Sequence, residues 1–409
     1  MQTNLSDRAR SLPRADEADE ILRSCVHCGF CNATCPTYQI LGNELDGPRG
    51  RIYLIKQLLE GEAATAKTQE HLDRCLTCRN CETTCPSGVR YHSLLDIGRA
   101  ELESRIERPL RERALRAGLR HVIPRPGVFN TLLKAGRAVR PMLPKALSDK
   151  IPARQIAAKA RPPRRHARRM LMLEGCVQPS LSPNTNAATA RVLDKLGISI
   201  ENAPRAGCCG ATDYHLNAQQ AGLDRARRNI DAWWPAIEAG HAEAIIQTAS
   251  GCGAFVKEYG DLLRDDPRYA EKARRVSELT RDLVEVLSAE NLDALRTTEA
   301  ERRVAFHCPC TLQHAQKLGG AVEGVLQRLG FELSAVPDGH LCCGSAGTYS
   351  FTQPELSKQL RDNKLDALES GKPDLIATAN IGCQAHLSSA GRTPVRHWIE
   401  IVEDALTDA

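Results

Sequence analysis

Eight of the chain's 17 cysteines fall in two copies of one spacing. The first copy is Cys25-x2-Cys28-x2-Cys31-x3-Cys35-Pro36, and the second is Cys75-x2-Cys78-x2-Cys81-x3-Cys85-Pro86. Two residues between thiolates let three of them reach three irons of one cubane. The fourth, followed by proline, leaves in a new direction. A chain that binds two such cubanes holds electrons one at a time and passes them on.

This run is that of bacterial two-cluster ferredoxins, in which the last cysteine ligates the other cluster. The expected ligands are Cys25, Cys28, Cys31 and Cys85 for one [4Fe–4S] cluster, and Cys75, Cys78, Cys81 and Cys35 for the second. The crossing ties both motifs into one domain, expected over residues 14–106. A pair of zinc sites is the alternative, because C-x2-C is also zinc spacing. Zinc pairs two separated knuckles, so unbroken four-cysteine runs ending in proline favour iron and sulfide. Pro48–Glu60, stopped by Gly61, and Tyr91–Arg105 read as helices bracing the two loops.

The second feature is an internal repeat. Cys176 and Cys208 are 32 residues apart, as are Cys310 and Cys342. In the first copy, over 169–300, an apolar run at Met170–Leu173 precedes Cys176. A helix opened at Ser182-Pro183 runs to Leu196, before Gly197. A strand at Ile198–Ile200 leads to Gly207-Cys208-Cys209-Gly210, and a long helix runs to Ala239. A strand at Ala244–Thr248 precedes Cys252. In the second copy, over 301–409, a strand at Arg303–Phe306 precedes Cys310, with a helix to Leu329. A strand at Phe331–Val336 leads to Cys342-Cys343-Gly344 and a helix through Glu369. A strand at Leu375–Ala379 precedes Cys383. Alternating strands and helices predict α/β repeats with largely parallel sheets. The fold class expected is thus multidomain α+β and α/β: a helical two-cluster ferredoxin domain, then two α/β cysteine-rich repeats. The cysteines follow strands, where open α/β sheets place ligands.

Cys176, Cys208, Cys209 and Cys252, and in the second copy Cys310, Cys342, Cys343 and Cys383 with Cys308 as an extra thiol, are candidate further metal sites. They can hold a cluster or zinc, or pack as buried thiols. Glu174 stands where the second copy has Cys308, so the copies are not equivalent. His27, His71, His92, His215 and His307 lie near cysteines and read as polar neighbours of the ligands, with His307 and His340 as weak candidates for proton carriers near a quinone. Trp233-Trp234 reads as core.

The segment 107–168 is a basic connector. From Arg108 to Arg169 there are 18 Lys and Arg against Glu112 and Asp149, a local +16 that leaves −11 for the rest of a chain of net charge +5. Val128, Phe129, Leu132, Leu133, Val139, Met142, Leu143 and Leu147 interleave with Lys134, Arg137, Arg140 and Lys145. That amphipathic pattern suits an anionic membrane surface or a partner subunit. It equally suits a solvated linker, or a stripe docked on its own domain. Nucleic acid is not expected, since no binding motif accompanies the charge and 4% of residues are aromatic. At 409 residues and 42% apolar, each domain can bury a core. No apolar leader or run of 18 apolar residues occurs, so the cysteines read as ligands in a reducing cytoplasm. No dinucleotide fingerprint, P-loop or hydrolase triad stands out. Flavin or NAD is therefore expected on a separate partner, since hydride chemistry belongs to such cofactors.

Together, Cys25–Pro36, Cys75–Pro86, Cys208-Cys209-Gly210 and Cys342-Cys343-Gly344 resemble the iron–sulfur subunits of membrane-associated flavin dehydrogenases, which join a two-cluster module to tandem "CCG" domains. The stretches His307-Cys308-Pro309-Cys310-Thr311-Leu312-Gln313-His314, Leu341–Tyr349 and Asn380-Ile381-Gly382-Cys383 are most similar to the glycolate oxidase iron–sulfur subunit family. The resemblance implies two [4Fe–4S] clusters on the eight N-terminal cysteines and an FAD-binding partner that oxidises glycolate, and D-lactate. It further implies a quinone acceptor and a peripheral place on the inner face of the cytoplasmic membrane. Lactate-, glycerol-3-phosphate- and heterodisulfide-linked subunits are the neighbouring readings, and a non-redox metal scaffold is the reading from another class. In the heterodisulfide relatives the last cysteine of each repeat belongs to a C-x-x-C. Here Gly253-Ala254-Phe255 and Gln384-Ala385-His386 follow Cys252 and Cys383, which argues against a double-cluster site and leaves room for one further cluster per repeat.

Overall fold

The computed structural model describes residues 1–144, 148, 151–152, 155–295, 297 and 303–406. Lys145 and Leu147 of the connector pattern lie outside the described residues. The chain forms two units, Met1–Ala117 with His340–Leu360, and Gly118–Gly339 with Arg361–Ala409.

The first unit is helical. Proline at the first position opens the helix Pro48–Leu59, where its missing N–H costs nothing. Ile52, Ile55, Leu58 and Leu59 bury one stripe of it, at the spacing that a 3.6-residue period dictates. That stripe meets Leu94, Leu95 and Leu102 of the helix Tyr91–Arg105 and Ile21 and Leu22 of Ala15–Ser24. Where Pro48–Leu59 meets the turn Glu44–Asp46 and the helix Ala66–Asp73 sits an ionic node. Asp46, fully buried, faces Arg51 at 3.5 Å, His71 at 3.0 Å and Arg74 at 3.2 Å. Residues 340–360 lie on this unit: the Tyr349 hydroxyl donates to the Arg74 carbonyl at 3.0 Å, and the Asn80 amide to the His340 carbonyl at 3.2 Å.

The second unit contains two four-stranded parallel sheets. The first has β1 (Arg168–Met172), β2 (Ile198–Asn202), β3 (Ile245–Gln247) and β4 (Thr280–Asp282) in the order β2-β1-β3-β4. The second has β5 (Val304–His307), β6 (Leu333–Ser334), β7 (Leu375–Thr378) and β8 (Val395–His397) in the order β6-β5-β7-β8. The order is the same, so the repeat seen in the cysteines is a repeat of topology. Apart from Arg168 and Arg169 at the start of β1, the central strands are buried on both faces and are mostly apolar. The edge strands β4 and β8, Thr280-Arg281-Asp282 and Val395-Arg396-His397, carry no apolar run and are not read from the chain. The long helices expected after the vicinal cysteines each split, into Ala211–His215 and Gln219–Glu238 and into Tyr349–Thr352 and Pro354–Glu369. The helix expected between Cys310 and Leu329 is instead a π-helical turn, Thr311–Ala315, and a short helix, Ala321–Arg328.

The repeats pack reciprocally. The first long helix of repeat one, Asn184–Lys195, lies on the last helix of repeat two, Trp398–Ala405, where Thr185 and Ser182 donate to Glu400 at 2.5 and 3.0 Å. The last helix of repeat one, Leu283–Ala289, lies on Ala321–Arg328 of repeat two. Val192, Leu193, Val284 and Leu287 therefore share one core with Val304, Val325, Leu326 and Trp398.

Much of the connector's charge is met by the chain's own carboxylates. Arg108 pairs with Asp73 and Glu103, Arg120 with Asp213, Arg161 with Glu174, Arg164 with Glu201, Arg165 with Asp194, and Arg168 with Glu243 and Glu290. Of the helix Pro126–Val139, Leu133 is buried, while Leu132, Val139 and the following Met142 are exposed.

Candidate metal centres

Two thiol-lined cavities lie in the first unit. Cys25, Cys28, Cys31 and Cys85 line one, with Cys81 at its wall. Cys35, Cys75, Cys78 and Cys81 line the other. The fourth cysteine of each run thus stands with the opposite loop. The two loops bend alike. His27 and Gly29 in the first, and Thr77 and Arg79 in the second, flank the middle cysteine with positive φ of 57°, 85°, 54° and 62°. Three of these are not glycine, and a left-handed L-residue costs about 1–2 kcal/mol. Strain repeated at equivalent positions belongs to a shape the site requires. In the second loop the bend points the Thr77 N–H at Cys75 Sγ, 3.4 Å away.

The electrostatics point the same way. Burial lifts the Cys25 thiol above its usual range and Cys31 to about 11, and the neighbouring thiols add to both. Burial, with Cys78 and Cys75, lifts Cys81 much further. Sulfurs crowded like this repel as thiolates and lose that repulsion when a metal cation sits among them. No cysteine is in a disulfide. Four sulfurs around each cavity, and N–H donors aimed at sulfur, fit a [4Fe–4S] cluster in each.

The ionic node supports the second cavity. Arg51 donates to the Thr37 hydroxyl at 3.1 Å and to the His71 carbonyl at 2.8 Å. Thr37 Oγ1 lies 3.3 Å from Cys35 Sγ. Arg99 donates to the carbonyls of Leu72 and Cys75, at 2.7 and 3.0 Å. None of these residues carries a motif signature, and only their packing identifies them. His71 and His92 are held by Asp46 and Glu82, as neighbours of ligands.

The loops differ in cover. Val26 and Phe30 are 68% and 61% exposed, with Cys28 exposed between them, whereas their counterparts Leu76 and Asn80 are 6% and 3% exposed. Residues 340–360, through Tyr349 and the His340 carbonyl, cover the second loop.

In repeat one the structure brings all four cysteines together. Cys176 is in hydrogen-bonding contact with Cys208, Cys208 with Cys209, and Cys209 with Cys252. Thiol donation from Cys176 and Cys209, the Gly210 N–H and the Arg225 charge hold Cys208 well below the usual thiol range, while Cys176 and Cys209 are pushed up. Cys176 and Cys252 follow β1 and β3, the adjacent strands at which the strand order reverses. Asn229 donates to the Cys208 carbonyl at 3.0 Å and Tyr259 to the Cys209 carbonyl at 2.5 Å, bracing the vicinal pair. Trp233 is core, as expected, and Trp234 stacks under Lys272.

In repeat two, Cys342 and Cys343 belong to the first unit, where the Gly344 N–H points at Cys342 Sγ at 3.4 Å. Cys308, Cys310 and Cys383 belong to the second. Cys308 packs into the shared core beside Phe306 and Leu312, and burial pushes its thiol far up.

The 4Fe-4S dicluster domain family matches residues 21–89, and the Cysteine-rich domain family matches residues 170–257 and 304–388. The chain is 71% identical over 406 residues, 99% of each chain, to the glycolate oxidase iron-sulfur subunit of Escherichia coli (strain K12). It is 31% identical over 403 residues, 90% of this chain and 88% of the other, to the protein named "Probable glycolate oxidase iron-sulfur subunit" of Bacillus subtilis (strain 168). Lactate utilization protein A of Bacillus licheniformis is 29% identical over 216 residues, 51% of this chain and 85% of that protein. Among solved structures, a hypothetical protein from Helicobacter pylori shares the fold at a TM-score of 0.53 and 10% identity, over 98% of this chain and 74% of that chain.

Proposed function

Given that the chain belongs to the glycolate oxidase iron–sulfur subunit family, we propose that it is the electron-transfer subunit of a glycolate dehydrogenase complex. An FAD-binding partner oxidises glycolate to glyoxylate, and D-lactate likewise, and a quinone is the acceptor. Each [4Fe–4S] cluster, when bound, takes up and releases one electron at a time. Cys25, Cys28, Cys31 and Cys85 hold the first, and Cys75, Cys78, Cys81 and Cys35 the second. The observation that carries this reading is the crossing of the cavities, with Cys85 beside the first loop and Cys35 beside the second.

The exposed Val26 and Phe30 support an approach of the flavin-bearing partner over the first loop. Exposed Leu132, Val139 and Met142, beside Lys134, support a peripheral contact of the connector with the inner face of the cytoplasmic membrane. No helix among the described residues is long and apolar enough to cross a membrane.

The test is serine replacement followed by EPR of the reduced, anaerobically purified complex. Crossed ligation requires that Cys85→Ser leave the same residual spectrum as Cys28→Ser, and that Cys35→Ser match Cys78→Ser. Every one of these variants should lose quinone reduction while glycolate still reduces the partner's flavin. A Cys85→Ser spectrum that matches Cys78→Ser overturns the ligand sets, and full quinone reduction in all four variants overturns the electron-transfer role.

A further inference from the structure

His307 ends β5 and is 2% exposed. Among the described residues, neither ring nitrogen has a hydrogen-bond partner. A buried polar atom left unpaired is destabilising, and two on one ring call for a ligand. A neutral imidazole keeps a lone pair on one nitrogen, which is the form that binds metal.

Cys383 supplies a second donor. It is 4% exposed, and its Sγ lies within 4.8 Å of a His307 ring nitrogen. The Asn380 amide donates to that sulfur at 3.4 Å. An amide aimed at sulfur is the outer support that ligating thiolates receive. The repeat shows what is special here. Counting from Cys176 and Cys310, the residue of repeat one that answers to His307 is Leu173, which is buried and packs in an apolar cluster. Cys383 answers to Cys252, a member of repeat one's four-thiol group.

We propose that His307 is a direct ligand of a metal centre in the second repeat, so that this centre has a mixed nitrogen–sulfur donor set where repeat one offers thiolates alone. Imidazole with thiolate suits a borderline transition metal, either zinc or the iron of an iron–sulfur centre. A nitrogen in place of a thiolate removes one negative charge from the site. An iron centre here would then be easier to reduce than an all-thiolate one, as histidine ligation does in Rieske clusters.

The experiment uses the full chain, purified anaerobically, with iron, zinc and sulfide quantified and the reduced protein examined by pulsed EPR. Wild type should hold metal beyond the roughly eight irons of the two N-terminal cubanes, at four per cubane. His307→Leu should lose that excess and keep the eight, which report that the protein has folded. If the excess is iron, wild type should show nitrogen coupling at the added centre. If it is zinc, X-ray absorption at the zinc edge should show a nitrogen donor. Should His307→Leu lose all metal, His307→Cys decides: the excess metal returns with the nitrogen signature gone. Unchanged excess metal in His307→Leu, a nitrogen signature that survives in His307→Cys, or a wild type with no metal beyond the eight irons overturns the proposal.

Discussion

Gly210 and Gly344, the third letters of the two vicinal-cysteine motifs, have φ of +105° and +83°. A Cβ on Gly210 would meet the Gly222 carbonyl oxygen at 2.5 Å, and one on Gly344 the Ser357 carbonyl oxygen at 2.6 Å. Both the backbone conformation and the approach of the long helices Gln219–Glu238 and Pro354–Glu369 exclude a side chain. Gly344→Ala should lower stability by more than about 1 kcal/mol, read as a fall in Tm. Asp282 and His397 form a second residue pair. They end β4 and β8 and cap the last helix of each repeat. Burial pushes the Asp282 carboxyl up to about 7 and the His397 imidazole down to about 4. The Asp282 contribution to stability is full below the unfolded carboxyl range and is lost as the pH rises to 7. That of His397 is full above 6.5 and is lost as the pH falls to 4. The two oppose each other in one window. Asp282→Asn should therefore make Tm rise more steeply between pH 4.5 and 6.5 than in wild type, measured by thermal melts across about two pH units.

At the scale of the element, the two cysteine loops share a backbone and differ in what covers them. The first displays Val26 and Phe30, and the second is closed by Tyr349 and the His340 carbonyl. Apolar side chains held in water beside a ligand loop mark a surface a partner covers. Val26→Glu with Phe30→Glu should weaken binding of the FAD-bearing subunit about tenfold or more, measured by titration of the separately purified subunits, with iron content unchanged. A change in iron content would mean that these residues serve the fold of the loop.

Over the whole molecule, the repeats of the second unit behave as one body because each lends its outer helices to the other. Trp398, 1% exposed, belongs to repeat two and packs in a core that includes Val192 and Leu193 of repeat one. Trp398→Ala should cost about 3–5 kcal/mol. Both repeats should then melt together at a lower temperature, as followed by calorimetry. Two separate transitions would show that the repeats fold independently.

Cysteine spacing, internal repetition and strand–helix alternation belong to consecutive residues, so the chain by itself determined the two ligand loops, the tandem repeats and the central parallel strands. The edge strands β4 and β8 escaped, because Thr280-Arg281-Asp282 and Val395-Arg396-His397 carry no apolar run. The acid partners of the basic connector escaped as well. Charges at Asp213, Asp194 and Glu243 lie tens of residues from the arginines they meet, and only folding brings them into reach. The same holds at the sites. The thiolates could be read, but the covering of one loop and not the other could not. Nor could the Asp46 node behind the second loop, the Asn229 and Tyr259 braces, or the unpartnered nitrogens of His307. Burial and hydrogen-bond satisfaction are properties of neighbours in space, which tertiary structure alone decides.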